Sequence, residues 1–252
     1  MVLRHRRWYT DVVPMDRVVA YAAAFDPGFV ARLRGAESAE IARLERVLGR
    51  PLAHEHRAFL ERMGHGDGGL GVAHEGSADI GDVIDWYEAM GSRAAPPDCA
   101  LLVVGTASTE PVALHAGGGS TSVVFLDPVG GEHATYAASL EGLLLRLAFF
   151  RRMRRMGRSF GIWAASLGDV GGRILVPDAR AIVERHALAL APFSDAVVVC
   201  AEGEGVAIAA GQLPFGGPWV RIAAASRAAA QRLAAPFVAE LGVSFDCWVD
   251  ER

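Results

Sequence analysis

Apolar side chains recur at helical spacing through the first third of the chain. The clearest stripe begins after Ser38 and ends before Gly49, a residue type that commonly follows the last turn of a helix. Its apolar members, at i, i+3, i+6 and i+7, are Ile41, Leu44, Val47 and Leu48. The same periodicity predicts helices over 15–25, over the segment that ends at Gly64, and over 79–91.

Beyond residue 100 the apolar pattern changes from helical spacing to alternation and short runs. Four strands are predicted, at 100–107, 110–116, 121–127 and 133–137. An apolar helix over 139–155 follows them. This order of elements, with helices first, then a strand meander and then a closing helix, is typical of an α+β fold with an antiparallel or mixed sheet. It differs from βαβ alternation.

A second unit is predicted after a boundary near 156–161. It comprises a helix, three strands, a further helix and a final strand, at 177–190, 195–202, 205–212, 218–225, 226–241 and 244–250. We therefore divide the chain into an N-terminal helical extension (1–29), a main domain (30–156) and a smaller C-terminal αβ unit (157–252).

The amino-acid composition and the net charge argue against several classes of function. The chain has 252 residues, of which 52% are hydrophobic, so it can bury a core, and its net charge of −4 argues against a general nucleic-acid binder. The chain contains no lysine, and all 25 of its basic residues other than histidine are arginine. This excludes a lysine nucleophile and a P-loop lysine. No apolar run is long enough to span a bilayer and no signal peptide is recognisable, so we expect a cytoplasmic protein without a membrane partner.

No motif assigns a catalytic centre, a cofactor or a metal. His54 and His56 are two positions apart and would not face the same way on a helix, so solvated histidines are favoured over a metal site. The glycine-rich segment 65–71 lacks the spacing of a phosphate-binding loop and is interpreted as a helix end followed by a turn. We therefore expect no enzyme activity, no cofactor and no metal ligands.

Two short motifs lie within 38–71. The first consists of Ile41, Leu44, Glu45, Leu48 and Gly49, and the second of Leu52, Phe59, Leu60 and Gly64. Together they resemble the opening of the SUKH superfamily, which includes the fungal Smi/Knr cell-wall regulators and many bacterial toxin-immunity proteins. The chain has Pro51-Leu52 where the family usually has Leu-Pro, and the resemblance ends by residue 156. It implies a SUKH-like main domain that binds a protein, most often a toxin whose active site it covers, and that is not an enzyme.

Acidic residues are concentrated between positions 61 and 90. Seven acids stand there against Arg62 alone, a local charge of −6, so the rest of the chain carries +2. On the predicted helix, two of these acids are three residues apart and lie together on a face beside a tryptophan, a preferred anchor residue in interfaces. The residues that we predict to contact a protein partner are Asp79, Asp82, Asp85, Trp86 and Glu88. A basic toxin domain is the partner that this charge would favour, and a solvated helix face is the alternative interpretation.

Two other functions remain open from the sequence. The chain could act as a regulatory or scaffold adaptor, or as an enzyme whose site lies in the C-terminal half. That half offers titratable residues without a motif, namely Asp178, Glu184, His186, Asp195, Glu202 and Glu204. The arginine-rich run at 151–158 is interpreted as a helix end whose side chains pair with acidic groups, rather than as a direct contact to nucleic acid.

Overall fold

Five helices and a short strand pair form the first part of the chain. The computed structural model describes residues 14–73, 76–106, 110–117, 120–126, 133–156, 159–164, 175–212, 218–241 and 247–249. The helices are α1 (Pro14–Ala23), α2 (Ser38–Leu48), α3 (His54–Met63), α4 (Ile80–Met90) and α5 (Leu140–Met156). Strands β1 (Leu33–Arg34) and β2 (Gly66–Asp67) pair antiparallel. None of the helices described is long and apolar enough to cross a bilayer.

Local sequence signals set the ends of α2. The Glu40 carboxylate accepts a hydrogen bond from the Glu37 backbone N–H at 2.8 Å, which satisfies one of the donors that a helix start leaves free. At the other end Gly49 has φ +67°, a left-handed conformation that glycine adopts without steric cost. Glu45 then joins α2 to the next helix, because its Oε1 accepts from the Leu52 N–H at 2.9 Å and from Arg57 at 2.6 Å.

A four-stranded antiparallel meander lies between α4 and α5. Its strands are β3 (Cys99–Val103), β4 (Val112–Gly117), β5 (Ser120–Leu126) and β6 (His133–Ala137), in that spatial order. Cross-strand pairs such as Leu114 with Val123 place apolar side chains in one buried layer. The α+β class predicted from the order of elements is confirmed, and the sheet is antiparallel throughout.

A second antiparallel sheet follows α5 and has six strands. The remaining elements are β7 (Ser159–Ala164), α6 (Leu175–Arg185), β8 (Ala189–Leu190), β9 (Val198–Gly203), β10 (Val206–Gln212), β11 (Pro218–Ala224), α7 (Arg227–Leu241) and β12 (Cys247–Val249). The spatial order is β12-β7-β11-β10-β9-β8, and α6 and α7 cover one face.

The sequence predicted only four of these six strands. β7 begins within the segment 156–161 interpreted as a domain boundary, and its backbone pairs with both β11 and β12. β8 lies inside the range predicted as a helix up to residue 190. That helix ends at Arg185 because the chain turns at Ala187, which has φ +54°. The predicted helix was therefore too long, and pairing with β9 sets the structure of its last two residues.

Three clusters of buried apolar residues organise the fold. The first fills the space between α1–α5 and the meander, and it includes Met15 and Val18 of the predicted N-terminal extension. The second lies between the six-stranded sheet and α6 and α7. The third joins α5, through Phe149 and Met153, to the opposite face of that sheet. α5 therefore packs against both halves of the chain.

Candidate protein-binding surface

Helix α4 presents one apolar face and one acidic face. Its buried residues are Ile80, Val83, Ile84 and Tyr87. The Tyr87 hydroxyl accepts a hydrogen bond from the Leu101 N–H of β3 at 2.9 Å, and α2 packs alongside the helix. These contacts fix the rotation of α4, so that Asp82, Asp85 and Glu88 all face solvent.

The exposed face of α4 retains a negative charge after its ion pairs are counted. Arg43 of α2 donates from Nε and Nη2 to the Glu88 carboxylate at 2.8–3.0 Å, and this hydrogen bonding raises the pKa of Arg43. Asp85, with 76% of its side chain exposed, lies 4.0 Å from the same guanidinium. Among the described residues no cation pairs with Asp82. Three carboxylates and one guanidinium leave this face with a net charge of −2.

Asp79 has a structural role at the start of α4. Its Oδ1 accepts from the Gly81 N–H at 2.8 Å, which caps the helix, while Oδ2 lies 3.0 Å from His65 Nδ1. On the other side of the ring, His65 Nε2 lies 2.9 Å from Glu40 Oε2. Hydrogen bonds to Asp79 and then Glu40 raise the pKa of His65. This cluster ties α2 and α4 to the end of α3 and occupies most of the Asp79 carboxylate.

Trp86 lies at the edge of the first core rather than fully on the surface. Its ring is half-buried and packs against that core. The indole N–H is buried and has no acceptor among the described residues. The five residues predicted to bind a partner therefore divide into two exposed acids (Asp82, Asp85), one exposed acid in an ion pair (Glu88), one helix cap (Asp79) and one half-buried ring (Trp86).

The other acids of the segment have different surroundings. Asp67 accepts from the backbone N–H groups of Gly69, Gly71 and Val72 at 2.7–2.9 Å, so the amides of the glycine-rich loop already bind a carboxylate of the chain itself. Glu61 is exposed on α3. Glu75 and His74 lie outside the described residues. These hydrogen bonds agree with the turn predicted for this loop, but Gly66–Asp67 pair with Leu33–Arg34 as a strand that the sequence did not predict.

A buried aspartate that the sequence did not single out receives the arginines of α5. Asp26 is only 4% exposed, and its Oδ2 lies 2.5 Å from Arg32, 3.0 Å from Arg155 and 3.6 Å from Arg151. The hydrogen bond from Arg32 is the largest of the effects that lower the pKa of Asp26. Arg152 pairs with Glu202. Asp26 precedes Pro27-Gly28, and in the sequence this marked only the end of a helix.

The remaining candidate groups are distributed over both halves of the chain. His54 is exposed, whereas His56 is buried in the first part of α3. In the C-terminal half, Asp195 accepts from the Val197 and Val198 N–H groups at 2.8 Å. Asp178 and Glu184 lie on α6, His186 directly follows this helix, and Glu204 lies in the β9–β10 turn. Within the described ranges, no group of three or more histidine, cysteine, aspartate or glutamate side chains could hold a metal ion.

No protein-family model matches the chain, and no curated protein sequence matches it.

Proposed function

We propose that this chain acts by binding another protein through the acidic face of α4 and that it carries out no catalysis. At the finer level, we propose a SUKH-type immunity protein that neutralises a cognate bacterial toxin by covering it. The resemblance of residues 38–71 to the SUKH superfamily supports a toxin as the partner. The local excess of acids supplies the candidate surface.

One observation carries the proposal. Asp82 and Asp85 are exposed and lie one turn apart on α4, whose rotation is fixed by its buried face. Arg43, which lies near Asp85, offsets only one of the three negative charges on this face. An uncompensated acidic surface of this kind attracts a basic partner over several ångströms and accelerates its association. Nuclease toxins bind phosphate backbones and are therefore commonly basic, which makes them the matching class.

The experiment combines a growth assay with binding kinetics. Cells that express the protein encoded by the neighbouring gene are tested for toxicity with and without this chain. If the pair forms an immunity system, co-expression restores growth and the two purified proteins form a complex. Binding without any effect on growth would instead indicate an adaptor, and the absence of both would contradict the proposal.

Charge reversal at α4 tests the surface itself. The double variant Asp82→Arg/Asp85→Arg should associate about tenfold more slowly at low ionic strength, and the difference should shrink as salt is added, because screening weakens long-range attraction. Glu184→Arg/Glu204→Arg is the matched control, since both residues are exposed acids elsewhere and the change in net charge is the same. Equal slowing by both double variants would show a general charge effect and would move the interface away from α4.

A further inference from the structure

A cavity of about 470 Å³ lies where the N-terminal helices meet the edge of the six-stranded sheet. α1 and α5 form one side, and the segment 189–193 with Glu202 of β9 forms the other. Proteins hold small molecules in largely apolar cavities of about 300–1,000 Å³, and such cavities are frequent where two structural units meet. Both the volume and the position of this cavity fit a binding site.

The walls of the cavity are apolar and held in place. The apolar residues of the lining include Tyr21, Leu145, Phe149, Pro192 and Phe193. The ring of Phe193 meets Tyr21 edge-on at 5.9 Å and Phe149 edge-on at 5.8 Å between centroids. Because these rings pack against one another, the wall that they form is in place without a ligand.

The charged groups around the cavity neutralise one another. Arg17 donates to Glu141 at 2.6 Å, and Glu202 pairs with Arg152, which lies outside the lining. The Tyr21 hydroxyl lies 3.4 Å from Arg152. Burial raises the pKa of Tyr21 to about 12, so the hydroxyl stays uncharged near neutral pH. A charged ligand would meet no uncompensated counter-charge here, whereas an uncharged one would lose little hydration.

The edge of the six-stranded sheet carries backbone polar groups beside the cavity. Among the described strands, β8 is the outermost and its partner is β9, with Leu190 opposite Ala201. The adjacent Ala191 N–H bonds to the Cys200 carbonyl at 2.8 Å. Since antiparallel residues alternate between facing the partner strand and facing away, the N–H and C=O of Leu190 point away from β9. The Leu190 side chain packs against the second core, and Leu190 is one of the residues that line the cavity.

We propose that this cavity binds a small, uncharged, planar molecule that carries an N–H and a C=O side by side, as a lactam does. The amide edge pairs with the C=O and N–H of Leu190, and the apolar body lies against the wall formed by Tyr21, Leu145 and Phe193. This site is independent of the acidic face of α4.

A matched pair of probes tests the proposed chemistry. Isoquinolin-1(2H)-one has a planar apolar body and a lactam edge, and its N-methyl derivative has the same body without the donor. Calorimetric titration should show one bound lactam per chain and at least tenfold weaker binding of the N-methyl compound, because the Leu190 carbonyl is then left unpaired. Equal affinity for the two probes, or tighter binding of isoquinoline-1-carboxylate, would overturn the assignment.

Two variants place the binding in the cavity. Leu145→Trp fills the space from α5 and should abolish binding of the lactam, whereas Ala181→Trp adds the same side chain on an exposed position of α6 and should leave the affinity within twofold. Phe193→Ala removes a wall without adding bulk and should weaken binding about tenfold if Leu145→Trp proves not to fold. Lactam binding that persists in a folded Leu145→Trp, an unchanged lactam affinity in Phe193→Ala, or no binding to the unmodified chain would refute the proposal.

Discussion

His56 and His65 make the stability of the fold depend on pH in opposite directions, because His56 is buried and His65 is hydrogen-bonded to carboxylates. His56 is buried and its Nδ1 has no partner among the described residues, so desolvation lowers its pKa to about 4. His65 lies between the carboxylates of Asp79 and Glu40, which raise its pKa. A histidine with a lowered pKa stabilises the fold above pH 6.5, and one with a raised pKa stabilises it at lower pH.

The first prediction concerns the sign of the pH dependence. The contribution of His56 is present above its unfolded pKa of about 6.5 and is lost as the pH falls towards 4, a loss of about 3 kcal/mol. His56→Leu should therefore lose less stability than the unmodified chain between pH 7 and pH 4.

His65→Gln serves as the comparison, because the contribution of His65 to stability changes with pH in the opposite direction. The contribution of His65 is present below pH 6.5 and is lost as the pH rises through its raised pKa. The unmodified chain should lose more stability than this variant between pH 6 and pH 8. Urea titrations across this pH range measure both effects, and parallel curves for all three proteins would contradict the assignment.

At the scale of the element, residues of α4 that were predicted to share one binding surface have different roles in the structure. Asp79, Asp82 and Asp85 are all acids of one predicted surface. Asp79 accepts the Gly81 N–H and contacts His65, whereas the other two face water. A helix cap contributes to folding, and an exposed acid in the middle of a helix contributes little.

The second prediction follows from this difference. Asp79→Ala should lower the free energy of unfolding by about 1–2 kcal/mol, because it removes the cap and one of the two partners of His65. Asp82→Ala should change it by less than about 0.5 kcal/mol. Chemical denaturation of the two variants gives the comparison, and a larger effect at Asp82 would show that the faces of α4 are wrongly assigned.

At the scale of the whole molecule, α5 is the element that both halves share. It packs against α1 and the meander on one side and against β10 and β11 on the other. Phe149 and Met153 are both 1% exposed and lie in the cluster that joins α5 to the six-stranded sheet. The two halves therefore bury apolar surface against each other, and we expect them to unfold together.

The third prediction tests that coupling. Phe149→Ala should lower the free energy of unfolding by about 3–5 kcal/mol, because it leaves a cavity between α5 and the sheet. Hydrogen exchange should show loss of protection in both the meander and the six-stranded sheet. Ala181→Ser, on the exposed side of α6, should leave exchange in both sheets unchanged. Loss confined to one half in Phe149→Ala would show that the halves are independent.

Local pattern alone determined most elements of the first 156 residues. The helix predicted over 139–155 is Leu140–Met156, and the strand predicted at 133–137 has those bounds. The reason is physical: apolar periodicity, a left-handed glycine such as Gly49 and a capping acid act within a few residues of one another. The sequence also placed Asp82 and Asp85 on one helix face, because their spacing fixes this.

Only the tertiary structure decided the features that depend on distant partners. β7 and β8 are strands because β11, β12 and β9 supply their hydrogen bonds, and no pattern within the two segments specifies those neighbours. Asp26 is buried because Arg32, Arg151 and Arg155 meet it from two other elements. The cavity beside Leu190 exists only where α1, α5 and the sheet edge meet. Short-range periodicity specifies elements, whereas contacts between residues far apart in the chain determine how the elements combine.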